Sequence, residues 1–542
     1  MYYTKQMMDS VAKVESMREH YIDTEHDRMT AEEIQGLLTA FHPDGLQSGM
    51  GTIALGPNQG EAAPLELVRQ LQSRSRIDDL ELDLTHADYE TDVLIIGGGG
   101  AGAAAAIEAS LFGAKVLLVT KLRLGDSNTI MAEGGIQAAD KAGDSPVLHY
   151  LDVMGGGHFC NDPKLVRKLV MEGPEAISWL CDMGVMFDKE ADGTMVSTHG
   201  GGTSRKRMHA AADYTGAEIM HSLRDEVLFH DIAIEEFTAA VEIIKDSKGR
   251  AAGAVLMDIE TEVCKVARAK TVVLATGGSG RLHFQGFPTS NHYGATADGL
   301  VIAYRAGAGM VFQDTMQYHP TGVLFPEQLY GSLVTEKVRS LGADILNVDG
   351  KRFVNPLETR DVVTSAIIRE CRERGKGVPT RLGPGVWLDF PMIEKKMGEG
   401  TIEKRLPSMY RMFRKNKVDI RQVPVLVYPT LHYQNGGIRI DEHCETDVEN
   451  LYAAGEMTGG IHGRNRLMGN SLLDIIVYGR CAGREAAHKS REVEWAPATL
   501  SHVAEYEKSL VEAEALFEGE VSPMLLPDYR LGKTGALEQN ES

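Results

Sequence analysis

Apolar and polar positions are distributed unevenly along this chain, and the unevenness divides it into segments. Through residue 88 it is polar, with methionines near the start and apolar residues at helical spacing only in short runs. Thr30-Ala-Glu-Glu33 reads as a capping box, and Ile34, Leu37, Leu38 and Phe41 follow at three- and four-residue intervals, which predicts a helix. Pro43 and the glycines from Gly45 to Gly60 break it, and Pro64 opens a second helix reaching Leu71. From Tyr89 the rhythm changes to strand–helix–strand: residues 93–96, 103–112 and 116–120. Residues 271–275 and 451–454 repeat the strand pattern, running into Thr276-Gly-Gly278 and Gly455-Glu456. Three strands that each finish at a glycine turn predict one parallel sheet with a ligand at its C-terminal edge. Residues 310–428 differ, with turns, a basic patch (Lys395, Lys396, Lys404, Arg405) and little alternation, as in an inserted domain. After Leu500 one amphipathic helix (Val503, Tyr506, Leu510, Ala513) is expected, followed by coil containing proline and glycine.

Composition narrows the function classes. A chain of 542 residues, 43% of them hydrophobic, supports more than one domain. With 77 acidic against 56 basic residues the net charge is −21, which opposes nonspecific nucleic-acid or anionic-membrane binding. The six cysteines include no C-x-x-C pair, against a zinc ribbon, a c-type haem or an iron–sulfur cluster on this chain, and no metal site is expected. Free thiols fit a reducing cytoplasm. The start, Met1-Tyr-Tyr-Thr-Lys, lacks the apolar core of a signal peptide. The longest apolar run, residues 93–107, is short and interrupted by glycines, so no direct membrane insertion is expected.

The turn after the first strand carries Gly97-x-Gly99-x-x-Gly102, a Rossmann-type dinucleotide fingerprint. The first glycine permits the tight turn, the second lets backbone approach a pyrophosphate, and the third lets helix and strand pack closely. The helix N-terminus then offers its free N–H groups and dipole to the phosphates. The acid expected some 20 residues later, to bind a ribose, is absent. Thr120-Lys121 stands there instead, against a simple NAD site.

Further motifs follow in order: Ala132-Glu-Gly-Gly-Ile136, Ala275-Thr-Gly-Gly278, Thr296-Ala-Asp-Gly299, Gln317-Tyr-His-Pro-Thr-Gly322, Thr335-Glu336, Thr359-Arg-Asp361, Leu431-His-Tyr433, Gly455-Glu456, His462-Gly-Arg-Asn-Arg-Leu467 and Gly469-Asn-Ser-Leu472. Over residues 90–490 the chain resembles the flavoprotein subunit of the succinate dehydrogenase/fumarate reductase family, which includes soluble fumarate reductases and L-aspartate oxidase. The fold that this implies is α/β: a Rossmann-like FAD-binding domain in two parts (89–309 and 429–490) with an inserted α+β capping domain (310–428). A helical N-terminal extension (1–88) and a short helical C-terminal tail (491–542) complete it. The extension is expected to pack on the body, with partner docking as the alternative.

The resemblance also implies a cofactor, FAD. Gly97, Gly99 and Gly102 would cradle its pyrophosphate, with Thr120, Lys121, Asn128, Thr129, Gly134 and Gly135 lining it and Asp298, Glu456, Ser471 and Leu472 touching it elsewhere. Many membrane-bound relatives have Ser-His-Thr, with the histidine bonded to the flavin, where this chain has Ser127-Asn128-Thr129. The FAD is therefore expected to be noncovalent, which tilts the reading toward reduction. His319, Thr335, His432 and Arg466 match the family's dicarboxylate-binding set, and Arg360 its proton donor, with Glu336 and Arg339 as relay toward solvent. Arg464 stands where alanine is usual, and Gln434-Asn435-Gly436-Gly437 where many relatives have a methionine before the two glycines. The leading expectation is a fumarate reductase or succinate dehydrogenase-type enzyme working mainly as a reductase. Two alternatives remain. One is L-aspartate oxidase, slightly favoured by Gly201-Gly-Thr-Ser-Arg-Lys-Arg207 and His209-Ala-Ala-Ala-Asp213. The other is a non-catalytic flavin electron-transfer subunit. The expected partners are a small dicarboxylate and an electron-transfer protein such as an iron–sulfur subunit, with the chain cytoplasmic or held at the inner membrane face through partner subunits.

Overall fold

In the computed structural model, which describes residues 3–45, 49–78 and 80–529, a central strand, Tyr89–Ile96, lies between two parallel neighbours. These are Val116–Val119 on one side and Cys264–Leu274 on the other. Leu451–Ala453 joins the end of Cys264–Leu274 in parallel, and Ala233–Glu235 extends the far side. The expected glycine-ended strands thus lie together in one sheet. Val93, Leu94 and Ile95 are fully buried, because this sheet is covered on both faces. Helices Gly100–Leu111 and Asn470–Ser490 pack against one another there. The sheet also has an antiparallel half absent from the sequence reading: Ala251–Asp258 pairs with both Thr238–Asp246 and Cys264–Leu274.

The second sheet is antiparallel. Met316–Phe325 pairs with Val425–Gln434, which pairs with Gly383–Asp389, which pairs in turn with Asp344–Leu346. Helix Arg360–Ile368 lies on it, and Val363, Ile367, Val386, Leu388, Val425 and Val427 close one core between them.

The N-terminal extension packs on this body. Helix Lys5–Tyr21, which the polar pattern concealed, buries Met7, Val11 and Val14 beside Trp387. Trp387 Nε1 donates to Ser10 Oγ at 2.9 Å, and Arg18 grips the Asp389 carboxylate with two nitrogens. Helix Ala31–Phe41 starts with the expected reciprocal cap, Glu33 N–H to Thr30 Oγ1 and Thr30 N–H to Glu33 Oε2, and lies against helix Arg360–Ile368. Pro64 precedes the expected short helix, Leu65–Leu71.

The tail corrects one expectation. Helix Ser501–Glu512 forms, but the segment read as coil contains a strand, Phe517–Ser522, parallel to Ser73–Ser75. Its backbone groups find partners more than 400 residues away, which no local pattern reveals. The chain then crosses the first sheet's C-terminal edge. Lys121 Nζ donates to the Leu525 carbonyl at 2.6 Å, and Arg281 reaches the Tyr529 hydroxyl at 2.9 Å. The polar end from residue 530, like Met1-Tyr2, lies outside the described residues. Among the described residues no helix is long and apolar enough to cross a membrane.

Candidate functional site

At the C-terminal edge of the first sheet, where it meets the second, lies a cavity of about 650 Å³. Its first half is built by the glycine turn. Gly97 has φ +121°, and a Cβ there would stand 2.2 Å from the Ala275 carbonyl oxygen, so only glycine fits. A Cβ on Gly102 would meet the Gly97 carbonyl at 1.8 Å. Gly99 caps helix Gly100–Leu111 with no side chain over its end, which leaves the helix terminus facing the cavity. Thr129 Oγ1 accepts from Gly100 N–H at 3.1 Å. Thr120, Asn128, Gly134 and Gly135 line the wall with Ser471 and Leu472. Lys121 bridges the Asp298 carboxylate and Thr296 Oγ1 at the far end. This elongated, glycine-floored cradle, with a helix end and a lysine along it, fits a dinucleotide.

Asn128 is fixed at both ends. Its Nδ2 donates to Glu456 Oε2 at 2.8 Å, and its Oδ1 accepts from His292 N–H at 2.6 Å. Burial pushes the Glu456 carboxyl above its ordinary value, against the pull of Asn128.

The second half collects the expected substrate groups from both sheets. His319 and His432, on adjacent strands, place their rings edge to face at 5.1 Å. Thr321 N–H donates to His319 Nδ1 at 3.3 Å, so Nδ1 is the acceptor and Nε2 carries the proton. Burial and then Arg360 hold both imidazoles well below their ordinary 6.5, so both are neutral at pH 7. Thr335, Arg360 and Arg466 complete this end.

The two arginines are held differently. Arg360 Nε donates to Glu336 Oε2 at 2.8 Å, and the other oxygen of Glu336 accepts from Gly201 N–H at 2.8 Å. Burial pushes the Glu336 carboxyl up, but Arg360 and Arg339 more than reverse this and hold it at about 2. Among the described residues Arg466 has only neutral acceptors: Gln317 Oε1 at 2.9 Å, the Leu467 carbonyl at 3.1 Å and Ser471 Oγ at 3.2 Å. Its guanidinium lies 4.4 Å from the centre of the Tyr433 ring. The Tyr433 hydroxyl donates to Asp474 Oδ2 at 3.1 Å. Burial and then Arg360 bring Arg466 down to about 9, leaving it charged at pH 7.

The structure brings nearly all the expected site residues to one cavity. Two stand behind its wall. Gly102 serves the contact between helix and strand, and Arg339, 3.3 Å from Glu336, is buried with its Nη1 on the Pro356 carbonyl. Arg464 pairs with Asp314 and lies over Phe312, and Gln434 ties Ser279 to the Gly436 carbonyl. The sequence reading missed Gln317. Its amide oxygen accepts from both Arg360 and Arg466 at 2.9 Å, joining two cations that would otherwise repel. It stands in the motif Gln317-Tyr-His-Pro-Thr-Gly322, which was the available signal.

Comparison with known proteins identifies the assembly. The FAD binding domain family matches residues 92–472. The chain is 40% identical to a fumarate reductase (CoM/CoB) polypeptide of Methanothermobacter marburgensis over 438 residues, 79% of this chain and 76% of the relative. It is 36% identical to an L-aspartate oxidase of Streptomyces coelicolor, over 76% of this chain and 71% of that one. A solved structure of E. coli quinol fumarate reductase superposes with a TM-score of 0.71 at 30% identity, covering 79% of this chain and 74% of that one. The chain therefore belongs to the FAD-dependent oxidoreductase family that contains the fumarate reductases, the succinate dehydrogenase flavoprotein subunits and the L-aspartate oxidases.

Proposed function

We propose that the chain interconverts fumarate and succinate, working mainly as a reductase that receives electrons from a partner such as an iron–sulfur protein. One observation carries this reading: Arg466 is charged, buried and without a carboxylate partner, in a wall that also presents His319, Thr335 and His432. A fixed cation without a counter-ion is ready to receive a substrate carboxylate, and a guanidinium does so through paired hydrogen bonds.

When bound, FAD supplies hydride transfer to or from a substrate carbon. The residues of this chain do the rest. Arg466 and His432 hold and polarise one carboxylate, while His319 and Thr335 hold the other. Arg360 gives a proton to the second alkene carbon. Its guanidinium is fixed for this transfer by two acceptors, Glu336 Oε2 at 2.8 Å and Gln317 Oε1 at 2.9 Å. Glu336, held ionised between Arg360 and Arg339, is the base that passes the next proton to Arg360.

The test is anaerobic oxidation of a reduced viologen dye by the purified chain with fumarate added. Peroxide formation from L-aspartate in air, with no fumarate turnover, would replace this reading with the oxidase one. The segment from Gly201 to Arg207 does reach the site, through the Gly201 bond to Glu336, but that bond uses backbone alone. An electron-transfer subunit without dicarboxylate chemistry has no use for the four substrate groups together.

Two further outcomes follow from the site. Asn128 cannot form the bond that a histidine makes to the flavin, so acid precipitation is expected to leave all FAD in the supernatant; flavin retained in the pellet would contradict this. Burial and Arg360 hold His319 and His432 well below 6.5, so both enter the complex neutral, and a dianion beside them shifts both upward. The pH dependence they confer on binding therefore has one sign, proton uptake and no loss of affinity as pH falls. Titration calorimetry with succinate at pH 8 and pH 6 checks this, and affinity that weakens several-fold towards pH 6 would refute it.

A further inference from the structure

Arg339, the outer residue of the relay expected from the sequence, is 2% exposed, with its Nη1 turned onto the Pro356 carbonyl. A different outlet adjoins Glu336. A void of about 10 Å³, room for about one water, is lined by Gly201, Glu336, Glu358 and Arg360. Glu358 lies two residues before Arg360 on the same loop and is 7% exposed. Its Oε1 accepts from Met29 N–H at 3.2 Å, and its Oε2 faces Arg28 Nη1 at 3.4 Å. The Arg28 side chain is 59% exposed, so Glu358, which lines the void together with Glu336, is paired through its carboxylate with a solvent-facing cation. Arg28 and Met29 come from the N-terminal extension, outside the 92–472 family match.

We infer that Glu358 is the proton entry point of the site, a positioning residue that resupplies Arg360 through one water and Glu336. The inference rests on Arg360 being the proton donor. After Arg360 has given its proton to the substrate carbon, Glu336 hands it one taken from the water in the void. The Glu358 carboxylate takes a proton from solvent beside Arg28 and hands it to that water, which restores both water and carboxylate. One proton moves at each transfer, no electrons move, and the net consumption is the single solvent proton that the alkene needs.

The test compares the full-length holoprotein with Glu358→Gln and Glu358→Asp, using viologen-linked fumarate reduction and succinate titration of the flavin spectrum. Glu358→Gln is expected to lower kcat about tenfold or more and to enlarge the solvent deuterium isotope effect on kcat. FAD content and succinate Kd should stay as in the unaltered chain, and Glu358→Asp or added imidazole should restore turnover. Unchanged kcat in Glu358→Gln overturns the inference. So does a loss of kcat with an unaltered isotope effect and no imidazole rescue, which marks a purely structural role. Absence of fumarate turnover in the unaltered chain is a separate result that removes the fumarate reading itself.

Discussion

Arg360→Ala is expected to lower fumarate-dependent viologen oxidation by a factor on the order of 10³ to 10⁴ while FAD stays bound. The size follows from what the side chain does. It faces the cavity, donates to Glu336 at 2.8 Å and shares the Gln317 oxygen with Arg466. In the proposed mechanism its removal deletes the proton donor, and it leaves the ionised Glu336 beside Arg339. The cofactor cradle is built from other elements, the turn at Gly97 and the start of helix Asn470–Ser490, so flavin content should not change. The loss is expected in kcat, because the proposed dicarboxylate groups, Arg466, His319, Thr335 and His432, are left in place. Arg360→Lys restores charge but neither the planar fork nor the reach to both Glu336 and Gln317, so only a small part of the activity should return. Equal turnover in Arg360→Ala and the unaltered chain would remove the residue from the mechanism.

The second large effect is in binding. Arg466→Met keeps an unbranched apolar stem over the Tyr433 ring and removes the guanidinium. Without it the remaining cation of the wall, Arg360, is already paired with Glu336, and the substrate carboxylate loses its partner, a penalty of about 3–5 kcal/mol when one partner of a buried pair is removed. The KM for fumarate and the Kd for succinate should rise by a factor on the order of 10² to 10³. The surroundings make this a test of charge rather than packing. The acceptors of Arg466 are carbonyl, hydroxyl and amide oxygens, each able to turn to water or to another donor when the arginine is gone. A carboxylate partner would have competed with the substrate. Arg360 has a carboxylate partner and Arg466 has none among the described residues, which is the difference on which the two proposed tasks rest. A Kd within twofold of the unaltered value would refute the assignment.

The sequence made the cofactor half of this site legible because its signals are local. A glycine at φ +121° is demanded by the turn in which it sits, and an apolar run ending in glycine announces a buried parallel strand. The capping box at Thr30 is equally local, and it forms as expected. The substrate half was legible only through the order of motifs, because its residues come from strands and loops far apart in the chain. What the sequence concealed depends on distance. The double duty of Gln317 is set by arginines 43 and 149 residues away. Glu358 gains its surroundings from Arg28, 330 residues earlier. Helix Lys5–Tyr21 has an apolar stripe too thin to stand out, and its partners Trp387 and Asp389 lie in another sheet. Arg339, which the resemblance sets on a path toward solvent, is buried at 2% exposure, a property that its sequence position does not reveal.

The segment that follows strand Phe517–Ser522 bears on how the lysine end of the cradle is held. Leu525 closes over Lys121 and Asp298, residues that precede it by 404 and 227 positions. The cradle is lined by residues from Ile96 to Ile475, and the Leu525 segment meets its lysine end from outside that span. The grip on Lys121 and Asp298 thus depends on a piece of chain remote in sequence from every other wall of the cradle, so a break between Ile475 and Leu525 would loosen the lysine end and leave the glycine turn as it is.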